Sequence, residues 1–218
     1  MKKEFWIEKW QNNQTGFHKS FVHPLLMEYI GELSLKPGDT IFVPLCGKSM
    51  DMIWLAEQGY HVIGIELSEL AVEQFFTENN LQYDKKIEEP FVVYHCQSIT
   101  IYLGDFFNLS KTHTAHVNAI YDRAALIALP EDLVEKYAKK MCSIIQQDVK
   151  QLLITLEFIK TSGPIGPPFT TSDDKVRALY NNNNAIELLQ KVDIIAREEK
   201  FKQQGCRYLY ERVYLITH

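Results

Sequence analysis

The sequence predicts a doubly wound α/β sandwich, and three observations carry that expectation. Short apolar runs alternate with segments of helical periodicity along most of the chain. The first run breaks at a glycine-containing turn that leads straight into a helix. The last two runs are joined by a polar segment around Gly205, as an antiparallel pair at a sheet edge would be.

Taken in order, the first strand is Thr40-Ile41-Phe42-Val43-Pro44, an uninterrupted apolar stretch after the turn Lys36-Pro37-Gly38-Asp39. PLCGKSMD ends it, and Asp51 to Gln58 carries helical periodicity until Gly59 stops the helix. His61 to Glu66 reads as the second strand. Ser68 then caps a helix running through Phe75, Phe76 and Glu78, with Glu69 and Glu73 on its early turns. Further strands are expected at Phe91 to His95, Ser98 to Leu103, Val117 to Tyr121 and Gln151 to Glu157, with a helix from Pro130 to Gln147. Ala185 to Ile195 and Arg207 to Ile216 form the terminal pair. The sheet is expected to be mostly parallel, and 218 residues suit one domain.

Composition narrows the function classes. Hydrophobic residues at 46% with 23% charged residues match globular usage and leave no segment that must stay disordered. A net charge of -5 without a Lys/Arg stripe argues against nucleic acid. No apolar run nears the ~20 residues of a membrane span, and Met1 to Trp6 leads into no apolar signal region, so a cytoplasmic location is expected. Cys46, Cys96, Cys142 and Cys206 are too scattered for a zinc site or a disulfide framework. His113 and His116 lack an evident third ligand, so they are read as a solvated loop and no metal is expected.

Ligands of such sheets sit at the carboxyl ends of strands. The first strand ends at Leu45-Cys46-Gly47-Lys48, where a glycine lets the backbone approach a ligand closely. Glu66 ends the second strand 19 positions after Gly47, close to the ~20 expected between a nucleotide loop and the acid that binds its ribose. The bland reading of Glu66 is a charge at the start of the next helix. Gly47-Lys48-Ser49 resembles the end of a phosphate loop, but the required earlier glycine is replaced by Phe42, and a dinucleotide turn wants three glycines. A nucleoside without phosphates fits better.

Gly104-Asp105-Phe106-Phe107 places a carboxylate and a ring at the third strand end, where Asp105 can accept from an adenine amine and Phe106 can pack on its face. In Tyr121-Asp122-Arg123 two charges interrupt apolar runs, so either they satisfy structure or Arg123 faces a ligand at the strand end. Trp6 and Trp10 lie one helical turn apart ahead of Gly16-Phe17-His18. They either staple a helix to the core or form part of a lid that closes over the site. Pro164, Pro167 and Pro168 stiffen SGPIGPPF as a rigid connector or as a pocket wall.

Together these segments resemble the thiopurine S-methyltransferase family over nearly the whole chain: WIEKW with GFH, then VPLCGKSMDMIWLAEQGYHVIGIELSELAVEQFF, IYDRAALIALP and GPPF. The resemblance implies a Rossmann-like class I methyltransferase with a seven-stranded sheet, one domain over 1–218, and a helical lid over 1–35. It implies S-adenosylmethionine contacts at Trp10, Leu45, Glu66, Phe106 and Arg123, an acceptor contact at Phe17, and S-adenosylhomocysteine as product. Some relatives place arginine where Lys200 stands, and lysine lacks the planar fork.

The implied activity is methyl transfer to small aromatic or heterocyclic thiols, extending to selenium or tellurium compounds, by a monomer. A thiolate needs no dedicated base, so no residue is assigned as catalytic, although Asp122 or Arg123 can assist through water. Two competing readings are a nicotinamide-dependent oxidoreductase, which would want a richer glycine turn, and a nucleoside-binding regulator without turnover.

Overall fold

The computed structural model describes residues 3–181 and 184–218. They form two compact units, one reaching Tyr121 and the other running from Asp122 to His218.

The first unit opens with helices α1 (Lys3–Gln11) and α2 (Pro24–Tyr29). There follow strand β1 (Thr40–Val43), helix α3 (Met50–Glu57), strand β2 (His61–Glu66) and helix α4 (Glu69–Glu78). Strands β3 (Asp84–Glu88), β4 (Phe91–Cys96), β5 (Ile99–Leu103) and β6 (Val117–Arg123) complete its sheet. β1 is buried at every position, which is why its pattern is a continuous apolar run rather than an alternation. It pairs in parallel with β2 on one side and β6 on the other, and β2 pairs in parallel with β5. On α4 the buried residues Ala71, Val72, Phe75 and Phe76 fall on one helical stripe. Each phenyl ring sequestered there contributes ~1.5–3 kcal/mol of burial. Ser68 caps the helix as its position suggests, accepting from the Ala71 N–H.

The second unit contains helix α5 (Glu131–Ile144), strand β7 (Lys150–Phe158), helix α6 (Asp173–Tyr180), strand β8 (Ala185–Asp193), helix α7 (Glu199–Gln203) and strand β9 (Leu209–Thr217). α5 buries Val134, Tyr137, Ala138, Met141 and Ile144, the spacing of an amphipathic helix. β9 runs antiparallel to both β7 and β8, so the expected terminal pair is present and β9 is flanked on each side.

Two expectations need correction. The described strands number nine rather than seven. Pairing is mixed, because β3, β4 and β5 form consecutive antiparallel hairpins. The reason is loop length: only Gln97 and Ser98 separate β4 from β5, and a parallel crossover needs a dozen or more residues. β3 escaped sequence reading because all five of its residues are exposed, so it shows no apolar run.

A buried polar network organises the second unit. Asp122, 0% exposed, accepts from the Tyr137 hydroxyl at 2.8 Å, the Gln151 amide at 3.1 Å and the Leu126 N–H at 3.3 Å. It therefore satisfies structure and does not reach water. The Gln151 carbonyl oxygen lies 2.7 Å from His218 Nε2, so that nitrogen carries the proton, and burial pushes the imidazole down to about 4. Burial raises the Asp122 carboxyl to about 6, against the opposing pull of its three donors. A raised acid pKa means the native state holds a proton that the unfolded chain has released. Stability from this group is thus present at low pH and lost as pH climbs from roughly 4 to 6. His218 has the opposite sign, losing its contribution as pH falls. Denaturant unfolding of the wild type and Asp122→Asn should isolate the Asp122 effect. The wild type should lose up to ~3 kcal/mol relative to the variant between pH 4 and pH 7, and parallel pH profiles would contradict this.

Candidate functional site

At the end of β2 the Glu66 carboxylate is 6% exposed and collects three backbone donors. Oε1 accepts from Leu67 and Ser68 at 2.8 Å each, and Oε2 accepts from Gly47 at 2.9 Å. Burial raises this carboxyl above its ordinary range, while the three N–H groups pull it back. Hydrogen bonds to a charged group contribute ~1.5–3 kcal/mol each, enough together to offset a desolvation cost of several kcal/mol. A carboxylate has about four acceptor positions, so one on Oε2 is left for a further donor.

The Gly47 bond bends the loop after β1 back over β2. Leu45 and Gly47 both take left-handed backbone, with φ of 45° and 53°. For leucine that conformation costs ~1–3 kcal/mol, a strain that typically accompanies functional sites. Cys46 N–H donates to the Ile65 carbonyl at 3.0 Å, laying the loop along the strand. Its thiol occupies the space above Gly64, where a β-carbon would stand 2.8 Å from the sulfur, so a glycine in mid-strand is required for this packing.

The same loop accounts for the Gly-Lys-Ser sequence without any phosphate. Gly47 serves Glu66, the Lys48 ammonium is held by Glu78 at 2.6 and 2.9 Å, and Ser49 caps α3 by accepting from the Asp51 N–H at 3.2 Å. The Trp10 ring seals the turn, since a β-carbon on Gly47 would lie 3.0 Å from it. Phe17 meets Trp6 and Trp10 edge-on, with centroids 5.5 and 5.4 Å apart, and remains 37% exposed. Trp10 is thus buried packing, as the staple reading has it, and through it Phe17 stands beside the glycine turn.

The third strand end is tied in by the Gly104 N–H, which donates to the Glu66 carbonyl at 2.8 Å. Asp105 accepts from Phe107 N–H at 2.9 Å and pairs with Lys3 at 2.6 Å, so a ligand amine would compete with the lysine. Phe106 is 3% exposed and packs edge-on against Phe107. A cleft of about 510 Å³, within the range of small-molecule sites, is bordered by Ile7 and Gln11 of α1 together with Leu67, Ser68 and Leu103. It therefore abuts both the residues that bond Glu66 and the end of β5.

Arg123 closes β6, half-buried, and is followed by Ala124 at a left-handed φ of 61°. The GPPF segment belongs with it: Phe169 N–H donates to the Ile127 carbonyl at 2.7 Å, in the short turn just beyond Arg123. Lys200 lies exposed on α7. His113, expected as a solvated residue, is half-buried instead. Its Nδ1 accepts from Ser110 N–H at 3.0 Å, and its ring packs edge-on against Phe91 and Tyr102. Sequence reasoning passed over Asp51 because an acid in the first turn of a helix is ordinary; here it is 1% exposed and bonded across the unit.

A model of the thiopurine S-methyltransferase family matches residues 1–218. Curated relatives named thiopurine S-methyltransferase include one from Nitrosospira multiformis, 43% identical over 99% of this chain and 98% of its own length. Another, from Shewanella frigidimarina, is 43% identical over 100% of this chain and 99% of its own. Among solved structures, a SAM-dependent methyltransferase from Anabaena variabilis aligns with a TM-score of 0.65 at 14% identity, covering 99% of this chain and 94% of that one. The 1,6-didemethyltoxoflavin-N1-methyltransferase of Burkholderia thailandensis, solved with S-adenosylhomocysteine, gives 0.63 at 11% identity over 99% and 87%. At those identities the structures speak for the fold.

Gly47→Ala tests the packing of the turn. It forces a β-carbon into left-handed backbone and onto the Trp10 ring, so unfolding free energy should fall by ~1–3 kcal/mol and tryptophan emission should shift to the red. An unchanged denaturation midpoint and spectrum would contradict the close contact.

Proposed function

The chain belongs to the thiopurine S-methyltransferase family, and from that premise we propose that it transfers the methyl group of S-adenosylmethionine to small aromatic or heterocyclic thiols, and to related selenium or tellurium compounds. Membership favours methyl transfer over hydride transfer or ligand sensing. The observation that carries the donor reading is the buried Glu66 carboxylate, fixed by three backbone donors with one acceptor position left over. A ribose hydroxyl is the neutral donor such a position suits.

Bound S-adenosylmethionine would supply an electrophilic sulfonium methyl: the acceptor thiolate attacks that carbon in line, and its new bond forms as the sulfonium bond breaks and S-adenosylhomocysteine leaves. The chain's own work is placement. Glu66 grips the sugar, Leu45 and Trp10 border the donor beside the Gly47 turn, and Phe106 lies toward the adenine. Arg123 is a further donor contact on the family resemblance, and its fork suits a carboxylate. Phe17, with its partly open ring, contacts the acceptor, and segment 1–35 acts as a lid on a single methyltransferase domain. Holding sulfur and methyl in line can supply ~7–11 kcal/mol, so no acid or base is assigned. The burial of Asp122 agrees with leaving it out of the chemistry. The enzyme is proposed to act as a cytoplasmic monomer without a metal.

Incubation with methyl donor and a panel of aromatic thiols should yield S-adenosylhomocysteine; tight donor binding with no product from any thiol would overturn the reading. Glu66→Ala should weaken donor binding by at least about tenfold in calorimetry, the scale of one lost bond to a charged group. It should also lower stability, because three N–H groups lose their acceptor. Undiminished affinity would remove Glu66 from the donor site.

A further inference from the structure

Between α1 and α2 the chain runs through a segment carrying Phe17 and Phe21, whose rings are partly open to solvent. Its two ends are fastened to one short stretch of sequence. At the front, the Trp10 ring rests on Gly47, and the chain leaves α1 through the Gln14 N–H bond to the Lys9 carbonyl at 2.8 Å. At the back, the His23 N–H donates to Asp51 Oδ1 at 2.7 Å, immediately before Pro24 starts α2. Gly47 and Asp51 stand four positions apart in the loop and first turn that follow β1.

Asp51 is held from the core side as well. Its other oxygen accepts from the Tyr121 hydroxyl of β6 at 3.1 Å, and its own N–H is fixed by Ser49. A buried carboxylate with both oxygens engaged does not swing, so it acts as a rigid post for the chain that it holds. The Phe17 segment is thereby spanned between two anchors supplied by the donor-side loop.

We propose that Asp51 is a positioning residue for the acceptor side of the site: by fixing the His23 end of the segment, it sets the place of Phe17 and so the affinity for the thiol. This rests on the assignment of Phe17 to the acceptor. Asp51 touches neither substrate in this account, and its effect passes through the backbone from His23 back to Phe17.

The test uses the full-length enzyme with benzenethiol as acceptor and compares Asp51→Ala, Asp51→Asn and Tyr121→Phe. Asp51→Ala should raise the acceptor KM about tenfold while kcat and donor Kd stay within about threefold, and exchange of backbone amides in 12–23 should quicken at least about tenfold. Asp51→Asn keeps an oxygen for the His23 N–H and should restore KM to within about threefold of wild type. Tyr121→Phe removes the core-side bond while the His23 bond stays, so the KM rise should be clearly smaller than in Asp51→Ala, whatever happens to the melting temperature. If Asp51→Ala does not fold, His23→Pro removes the same N–H at a residue whose φ of -67° proline accepts, and the KM rise should reappear.

An acceptor KM within twofold of wild type, or an equal rise in Tyr121→Phe, overturns the proposal. Should the wild type methylate no thiol, the acceptor reading fails separately. Amide exchange then decides the latch, with unchanged rates in Asp51→Ala overturning it.

Discussion

The structure of the first unit depends on one buried charge. Glu66 would be costly at its position if left alone, and it is tolerated because Gly47, Leu67 and Ser68 present their N–H groups to it. That requirement propagates. Gly47 can reach the carboxylate only if the loop after β1 adopts left-handed backbone twice, and the loop can lie that low only because Gly64 has no side chain under the Cys46 thiol. The turn left above Gly47 is filled by Trp10, which carries Phe17 with it. A single carboxylate thus fixes the loop, the first helix and an exposed aromatic ring.

In this loop the groups of the Gly-Lys-Ser sequence have partners within the chain. A phosphate loop keeps its amides and its ammonium directed at a ligand. In this chain the Gly47 amide is committed to Glu66 and the Lys48 ammonium to Glu78, so the loop presents no cationic cradle. What remains at the end of β2 is a buried carboxylate with a spare acceptor position, beside a cleft whose lining mixes Ile7, Leu67 and Leu103 with Gln11, Glu69 and Glu73. The second unit is organised on a similar plan by Asp122. There the donors are side chains of α5 and β7 and the backbone of the turn beyond Arg123, so the motif's acid braces the turn while its arginine closes β6.

Much of this was legible from the sequence, for identifiable reasons. β2 was located at both ends because its apolar run is bounded by Gly59 and by the acid that ends it. The Ser68 cap and the Asp-Arg interruption were evident because polar residues amid apolar runs require partners. Glu66 was read as an acid that grips a ribose, against the bland alternative of a charge at a helix start; in the structure its carboxylate bonds the Leu67 and Ser68 N–H groups just ahead of α4 and the Gly47 N–H of the preceding loop. What could not be read were features of three-dimensional neighbourhood. Asp51 meets His23 and Tyr121, 28 and 70 positions away, and local patterning carries no trace of such contacts. The β3–β4–β5 hairpins were misread because periodicity reports burial and not strand direction; the two-residue connection was the overlooked signal.

The most direct measurement of the central claim is a crystal structure of the complex with S-adenosylhomocysteine. The account requires a ribose hydroxyl within about 2.6–3.2 Å of Glu66 Oε2 while the Gly47, Leu67 and Ser68 N–H bonds persist. An adenosyl group bound away from the β2 terminus, or a Glu66 side chain making only its three backbone bonds in the complex, would contradict it.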